Sequence, residues 1–280
     1  MEKALINKII NFSNVDGPGN RMAIFFQSCP FSCLYCHNPE TINLCKNCGK
    51  CIEFCPKKAI SLDDNSKIVW NETKCINCDT CIKICPNLSS PKTRYYTIDE
   101  LFEKIKQIKP FIRGITVSGG ECTNWSKFLL ELFPKVKKLG LTCLIDSNGC
   151  TDFKEIEELI NISDGVMLDV KAYDNKFHNF ITGKDNKIVL KNLNFLIQNQ
   201  KLEEVRTVIL PNFDEENYKT VSAVAKIIPA NIRYKLLKYR HFGVRKQGID
   251  TFGQVIVQDN KLKELKKVAE NLGLKNVVII

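Results

Sequence analysis

Residues Gln27–Pro39 read QSCPFSCLYCHNP, and three cysteines in this stretch, Cys29, Cys33 and Cys36, form a C-x3-C-x2-C set. Three thiolates without a fourth is an informative number. A cubane iron-sulfur cluster held by cysteine alone takes four protein ligands. With three, one iron keeps an open coordination position, by the logic that separates catalytic metal sites from closed structural ones. A zinc knuckle or three buried thiols would use the same residues, so the triplet by itself leaves the metal undecided.

Outward toward the C-terminus, Cys45, Cys48, Cys51 and Cys55-Pro56 form C-x2-C-x2-C-x3-C-P, and Cys75, Cys78, Cys81 and Cys85-Pro86 repeat it thirty residues later. This is the bacterial two-cluster ferredoxin run, in which the fourth cysteine of each run ligates the other cluster. The pattern predicts two closed sites, one on Cys45, Cys48, Cys51 and Cys85, the other on Cys75, Cys78, Cys81 and Cys55. Zinc ribbons use two C-x2-C knuckles across a longer spacer, which these eight cysteines do not match. The run predicts a ferredoxin-like insertion over 42–92, ending near the Ser89-Ser90-Pro91 break, with Ile68 and Trp70 as its apolar packing.

Beyond Arg94 the pattern becomes regular. TIDELFEKIKQI reads as a helix with Thr97 at the N-cap and Glu100 three residues on, a capping box. Strand-like GITVSGGE, LTCLIDSNG, GVMLDVK, EEVRTVILP and RYKLLKY then alternate with helices near 126–138, 153–161, 187–198 and 215–228. Together with MAIFFQ before the triplet they make six βα units, which predicts α/β architecture with a parallel sheet. A doubly wound sheet is one form of it. A partial (β/α)6 barrel of the TIM-like kind, built from 1–41 and 93–280, is the other, and polar strand ends favour it because a β/α barrel gathers its site there. Those ends are Ser118-Gly119-Gly120-Glu121, Asp146-Ser147-Asn148-Gly149 and Asp169-Val170-Lys171. Read as residues alone, they are βα turns and an ion pair. Upstream, Ala4–Phe12 reads as a short strand and Gly17-Pro18-Gly19 as an irregular turn. A helix near 261–271 and the tail NVVII read as closing or covering the barrel.

Composition narrows the function classes. Fourteen cysteines in 280 residues fall below the roughly 8–10% of a secreted disulfide scaffold. Metal thiolates fit better. No apolar run approaches the roughly 18 residues of a membrane helix, and MEKALINKII has no signal-peptide h-region, so a cytoplasmic protein without membrane attachment is expected. The formal charge of +10 invites nucleic acid as a partner. Eleven thiolates on three clusters would offset about half of that excess. The lysines are scattered along helix-like segments such as KLKELKK (261–267) rather than gathered with aromatics, so no nucleic-acid partner is expected.

The triplet, with aromatic Tyr35 before its last cysteine, resembles the signature of the radical SAM enzymes. DGPGNR (16–21) ahead of it and HNPE (37–40) after it narrow the resemblance to the glycyl radical enzyme activating enzymes. That resemblance covers nearly the whole chain and implies S-adenosylmethionine chelated at the open iron. It also implies that Gly119, Gly120 and Glu121 contact the methionine amino group. Asp146, Ser147, Asn148, Asp169 and Lys171 would hold the ribose and carboxylate, sometimes with a monovalent cation between the aspartates. Arg206 and His241 fall at family positions for further contacts. Cys122 stands where the family commonly has proline, and Cys122, Cys143 and Cys150 read as small buried thiols.

The implied inventory is three [4Fe-4S] clusters and S-adenosylmethionine. The implied reaction reductively cleaves it to methionine and a 5′-deoxyadenosyl radical, with electrons from a low-potential flavodoxin or ferredoxin. That radical removes a glycine α-hydrogen from the C-terminal glycine loop of a partner glycyl radical enzyme. No further catalytic residue is implied. Two other functions use parts of the pattern: a radical SAM enzyme with auxiliary clusters acting on a small molecule or peptide, and an electron carrier. The carrier needs only the eight ferredoxin cysteines and leaves the triplet and the α/β part unexplained.

Overall fold

The computed structural model describes residues 2–280. Eleven strands are formed: β1 Lys3–Ser13, β2 Arg21–Phe26, β3 Ile60–Leu62, β4 Ile68–Trp70, β5 Arg94–Thr97, β6 Gly114–Gly119, β7 Thr142–Ser147, β8 Gly165–Asp169, β9 Leu202–Ile209, β10 Arg233–Lys238 and β11 Val277–Ile279. Nine of them make one sheet in the order β11-β10-β9-β8-β7-β6-β2-β1-β5. From β2 to β11 every pairing in that sheet is parallel, while β1 runs antiparallel to both β2 and β5. The sheet ends on β11 and β5 and is open, as a partial barrel requires and a closed one forbids.

Apolar residues at successive positions of the central strands identify them as buried on both faces. Ile115, Val117, Cys143, Ile145, Val166, Met167, Leu168 and Val205 are all fully buried. Ile98–Ile108 and Ser126–Lys138 pack their apolar stripes here, through Leu101, Ile105, Phe128, Leu129, Leu132, Phe133 and Val136. The predicted capping box is present, with Thr97 Oγ1 accepting from Glu100 N and the Glu100 carboxylate accepting from Thr97 N. At the N-terminal end of the parallel strands, buried Arg21 donates to Thr116 Oγ1, Thr142 Oγ1 and the Ile115 and Thr142 carbonyls, stapling β2, β6 and β7. Burial pushes its guanidinium down to about 10.

Several elements differ from their sequence reading. The tail forms β11, a seventh parallel strand, instead of a cover, because Tyr234 N and Lys238 N need acceptors that its carbonyls supply. The N-terminal strand is longer, since a hairpin with β2 on one side and β5 on the other pairs its groups twice. The helix read from Phe153 starts only at Glu157, and the helices Asn175–Thr182 and Lys246–Phe252 had no clear periodicity to announce them.

Residues 42–92 lie between β2 and β5 and hold β3 and β4, an antiparallel pair with no ladder to the main sheet. Two backbone bonds at its root, Ser28 N to Thr41 O and Cys29 N to Ile42 O, each 2.9 Å, join it to the loop after β2. No helix among the described residues is long and apolar enough to cross a membrane.

Candidate functional site

The loop carrying Cys29, Cys33 and Cys36 leaves the C-terminal end of β2 and is gripped from three directions. On the first, Gly120 N donates to Phe26 O and Glu121 N to Ser28 O, each 2.8 Å. A Cβ on Gly119, at φ +114°, would lie 2.2 Å from Phe26 N, and one on Gly120 2.4 Å from Ser28 O. Both glycines are therefore required for close backbone approach, but the approaching backbone is the cysteine loop itself. On the second, Ser32 N and Leu34 N donate to Thr182 O and Ile181 O at 2.8 Å. On the third, Arg245 Nη2 donates to Ser32 O at 2.6 Å, and a Cβ on Gly248 would lie 1.9 Å from Leu34 O. The helix Lys246–Phe252 seats against the loop through that missing side chain.

Within this grip Cys33 is buried and Cys29 and Cys36 half-buried. Burial pushes all three thiols up, Cys36 to about 12. Thiols so raised are poor free nucleophiles and would ionise only where a metal took up the charge. Asn148 Nδ2 lies 3.4 Å from Cys29 Sγ.

Around the loop stand the polar strand ends. Glu121 is buried, and its carboxylate faces inward: Oε1 accepts from Thr123 N, Thr123 Oγ1 and Ser147 Oγ, and Oε2 from Asn148 N. Burial raises its carboxyl pKa against the opposing pull of those donors. In this arrangement Glu121 fixes the turn that presents Ser147 and Asn148. Asp146 accepts from Ser118 Oγ at 2.9 Å and pairs with Arg206 at 3.0 Å. Burial lifts its carboxyl and Arg206 pulls it back, the net direction being up. Asp169 and Lys171 pair at 2.9 Å, with the ammonium 5.8 Å from the Tyr35 ring centroid. Burial alone would depress Lys171, but Asp169, with Tyr35 and Cys33 nearby, outweighs it and holds the amine well above its ordinary value. The His241 ring lies tilted against that of Phe242 with centroids 4.2 Å apart, and its buried Nδ1 has no hydrogen-bond partner.

Sequence reasoning missed the support beneath Arg206. Glu204 accepts from Arg206 Nε at 2.5 Å, from Lys235 at 2.9 Å and pairs with Arg233 at 3.5 Å. The four charges alternate along β9 and β10, but only the register of the two strands sets Glu204 opposite Arg233 and Arg206 opposite Lys235. Arg245 and Gly248 carried no signal in the sequence. The three remaining cysteines behave as read. Cys122 and Cys143 are fully buried and Cys150 packs half-buried against the core, with burial pushing Cys143 up to about 12.

Seven of the eight cysteines of 42–92 divide between two small cavities. Cys45, Cys48, Cys51 and Cys85 line the first. Cys55, Cys75 and Cys78 line the second, and Cys81 borders both. Cys85 thus lies with Cys45, Cys48 and Cys51, and Cys55 with Cys75 and Cys78. No three His, Cys, Asp or Glu side chains among the described residues converge as the ligands of a single ion do.

Comparison with known proteins identifies the company this chain keeps. Residues 23–228 match the sequence profile of the Radical SAM superfamily. A Clostridioides difficile trans-4-hydroxy-L-proline dehydratase activating enzyme is 31% identical over 82% of this chain and 82% of its own length. A choline trimethylamine-lyase activating enzyme of Oleidesulfovibrio alaskensis is 31% identical over 87% and 86%. A Haemophilus influenzae protein whose name places it among the glycyl-radical enzyme activating enzymes is 29% identical over 98% and 96%. Among solved structures, QueE from Escherichia coli covers 99% of this chain and 94% of its own at TM-score 0.50 and 13% identity, a likeness of fold alone.

Proposed function

The chain belongs to the radical SAM superfamily and, within it, to the glycyl radical enzyme activating enzymes, and from that premise we propose that it installs the radical on a partner glycyl radical enzyme. When bound, a [4Fe-4S] cluster and S-adenosylmethionine supply one-electron cleavage to methionine and a 5′-deoxyadenosyl radical, which takes a hydrogen from the partner's glycine α-carbon. The protein's own part is to bind, orient and exclude water. Cys29, Cys33 and Cys36 would hold three irons and leave the fourth for the cofactor. Lys171, kept charged by Asp169, suits a carboxylate. Asp146, Ser147 and Asn148, held by Glu121 and Arg206, would face the ribose and amino groups together with His241, while Gly119 and Gly120 would serve by letting the cysteine loop seat against the site. A monovalent cation near Asp146 and Asp169 would complete the carboxylate site.

In the same reading residues 42–92 form a ferredoxin-like domain inserted into a barrel of 1–41 and 93–280, with two closed [4Fe-4S] clusters on the crossed cysteine sets. The reductant is a low-potential flavodoxin or ferredoxin, and the substrate is the partner's C-terminal glycine loop. The observation that carries the reading is the convergence on one sheet end of a clamped three-cysteine loop and a lysine-bearing, carboxylate-rich rim. The test mixes reduced protein and S-adenosylmethionine anaerobically with candidate glycyl radical enzymes. A glycyl doublet in the electron paramagnetic resonance spectrum is the expected result. Turnover of a free metabolite with no doublet from any candidate would overturn it.

A further inference from the structure

Two buried donors in the cysteine segment have no acceptor within the protein. Ser89 is 1% exposed and its hydroxyl makes no hydrogen bond, and the indole Nε1 of half-buried Trp70 is likewise buried and unpartnered. Leaving such a group unpaired is destabilising, so native structures rarely do. Each lines one of the two cavities: Ser89 that of Cys45, Cys48, Cys51 and Cys85, and Trp70 that of Cys55, Cys75 and Cys78. Sulfur is already the acceptor for other donors there. Asn87 Nδ2 lies 3.9 Å from Cys48 Sγ in the first cavity. In the second, Ala59 N, Asn77 N and Thr80 Oγ1 lie 3.2, 3.4 and 3.4 Å from the sulfurs of Cys55, Cys75 and Cys78.

Resting on the reading that these cavities hold the two closed clusters, we propose that Ser89 Oγ–H and Trp70 Nε1–H each hydrogen-bond a sulfur of the cluster in its own cavity and set its reduction potential. A one-electron reduction adds negative charge to the cluster. A donor at sulfur stabilises the reduced form more than the oxidised form and raises the potential. The thiolates of the second cavity already accept from three donors against one in the first, so its cluster has the higher potential and is reduced first. Charge does not reverse this order: Lys46 and Lys50 beside the first cavity are exposed and screened, and half-buried Lys92 beside the second is paired with Asp79.

The test is a mediated redox titration of the anaerobically reconstituted protein, followed by electron paramagnetic resonance, on the wild type, Ser89→Ala and Trp70→Phe. Both variants are expected to keep about twelve irons. Ser89→Ala should lower the potential of one closed cluster and Trp70→Phe that of the other. Each shift is expected to be about tenfold in the one-electron equilibrium, which corresponds to about 59 mV. Ser89→Thr, which keeps the hydroxyl, should titrate like the wild type. Potentials unchanged in both variants with iron retained would overturn the proposal, as would equal shifts of every cluster from either change. A wild type that holds only about four irons would instead remove the closed clusters on which it rests. Should a variant lose iron, wild-type protein carrying ¹⁵N-indole tryptophan decides the matter. Coupling of ¹⁵N to a closed-cluster signal supports the Trp70 bond, and its absence refutes it. The other tryptophan, Trp125, is already committed to Gln27 O at 3.0 Å.

Discussion

The triplet loop and the eight-cysteine segment use one residue type in opposite settings. Cys29, Cys33 and Cys36 sit against the main core, on a loop whose backbone is bonded to the β6 turn and to Ile181 and Thr182, with helix Lys246–Phe252 packed on it. Cys45 to Cys85 sit in a segment with a two-stranded sheet, where Cys48 and Cys78 are exposed and few side chains are buried. In the proposed reading the difference follows from ligand number. A cluster with three protein ligands cannot organise its own surroundings fully, so the fold must hold the loop and keep the open corner shaped. A cluster with four closes its own loops and substitutes for a core in a segment too small to build one.

The sharpest way to break this contrast is to remove one ligand from each class. Cys33→Ala should reduce S-adenosylmethionine cleavage to background, a loss of at least about 10³-fold, while Cys48→Ala leaves it within about tenfold of wild type. Product analysis of methionine and 5′-deoxyadenosine checks both, and cleavage unaffected by Cys33→Ala would sink the assignment. Next in size is the effect of chelating iron. Residues 42–92 should lose hydrogen-exchange protection wholesale, because their stability is the cluster's, whereas β6 to β9 and their helices stay protected. A barrel that melts together with the segment would erase the distinction.

A third test stays at the open site. Lys171→Met leaves Asp169 without its partner and should weaken S-adenosylmethionine binding by about 30-fold, the equivalent of about 2 kcal/mol for truncating one member of a half-buried charge pair. Titration calorimetry reads the loss, and the closed-cluster signals should not move. The smallest effect is expected at a cysteine belonging to neither class. Cys143→Ala removes a buried thiol from β7 and should cost about 1 kcal/mol in urea unfolding of the reconstituted protein, with iron content unchanged. A fall in iron there would mean that a buried thiol had been misread.

Much of the site was legible because ligand chemistry is local. Cysteine spacing gave two groups, and seven of those eight cysteines divide between two cavities while Cys81 borders both; strand-end Asp146, Asp169 and Lys171 were visible as charges closing apolar runs. Helix boundaries such as Ser126–Lys138 and Lys187–Gln198 followed from periodicity. What was not legible depended on contacts between distant parts. Gly119 and Gly120 read as room for a ligand, and the fold gives that room to Phe26 and Ser28. Glu121 read as a cofactor contact, and its carboxylate is turned onto Ser147 and Asn148.

The sequence by itself determined the spacing and grouping of the cysteines, the βα alternation and the polar character of the strand ends. Each depends on residues within a few positions of one another, where spacing and geometry are equivalent. Tertiary structure alone decided that β11 joins the sheet as a seventh parallel strand, that Gly248 lets a C-terminal helix close on Leu34, and that Glu204 anchors Arg206 against Asp146. These contacts link residues as much as 214 positions apart in the case of Leu34 and Gly248. Such pairs are chosen by how buried backbone and charge find partners, which no local pattern encodes.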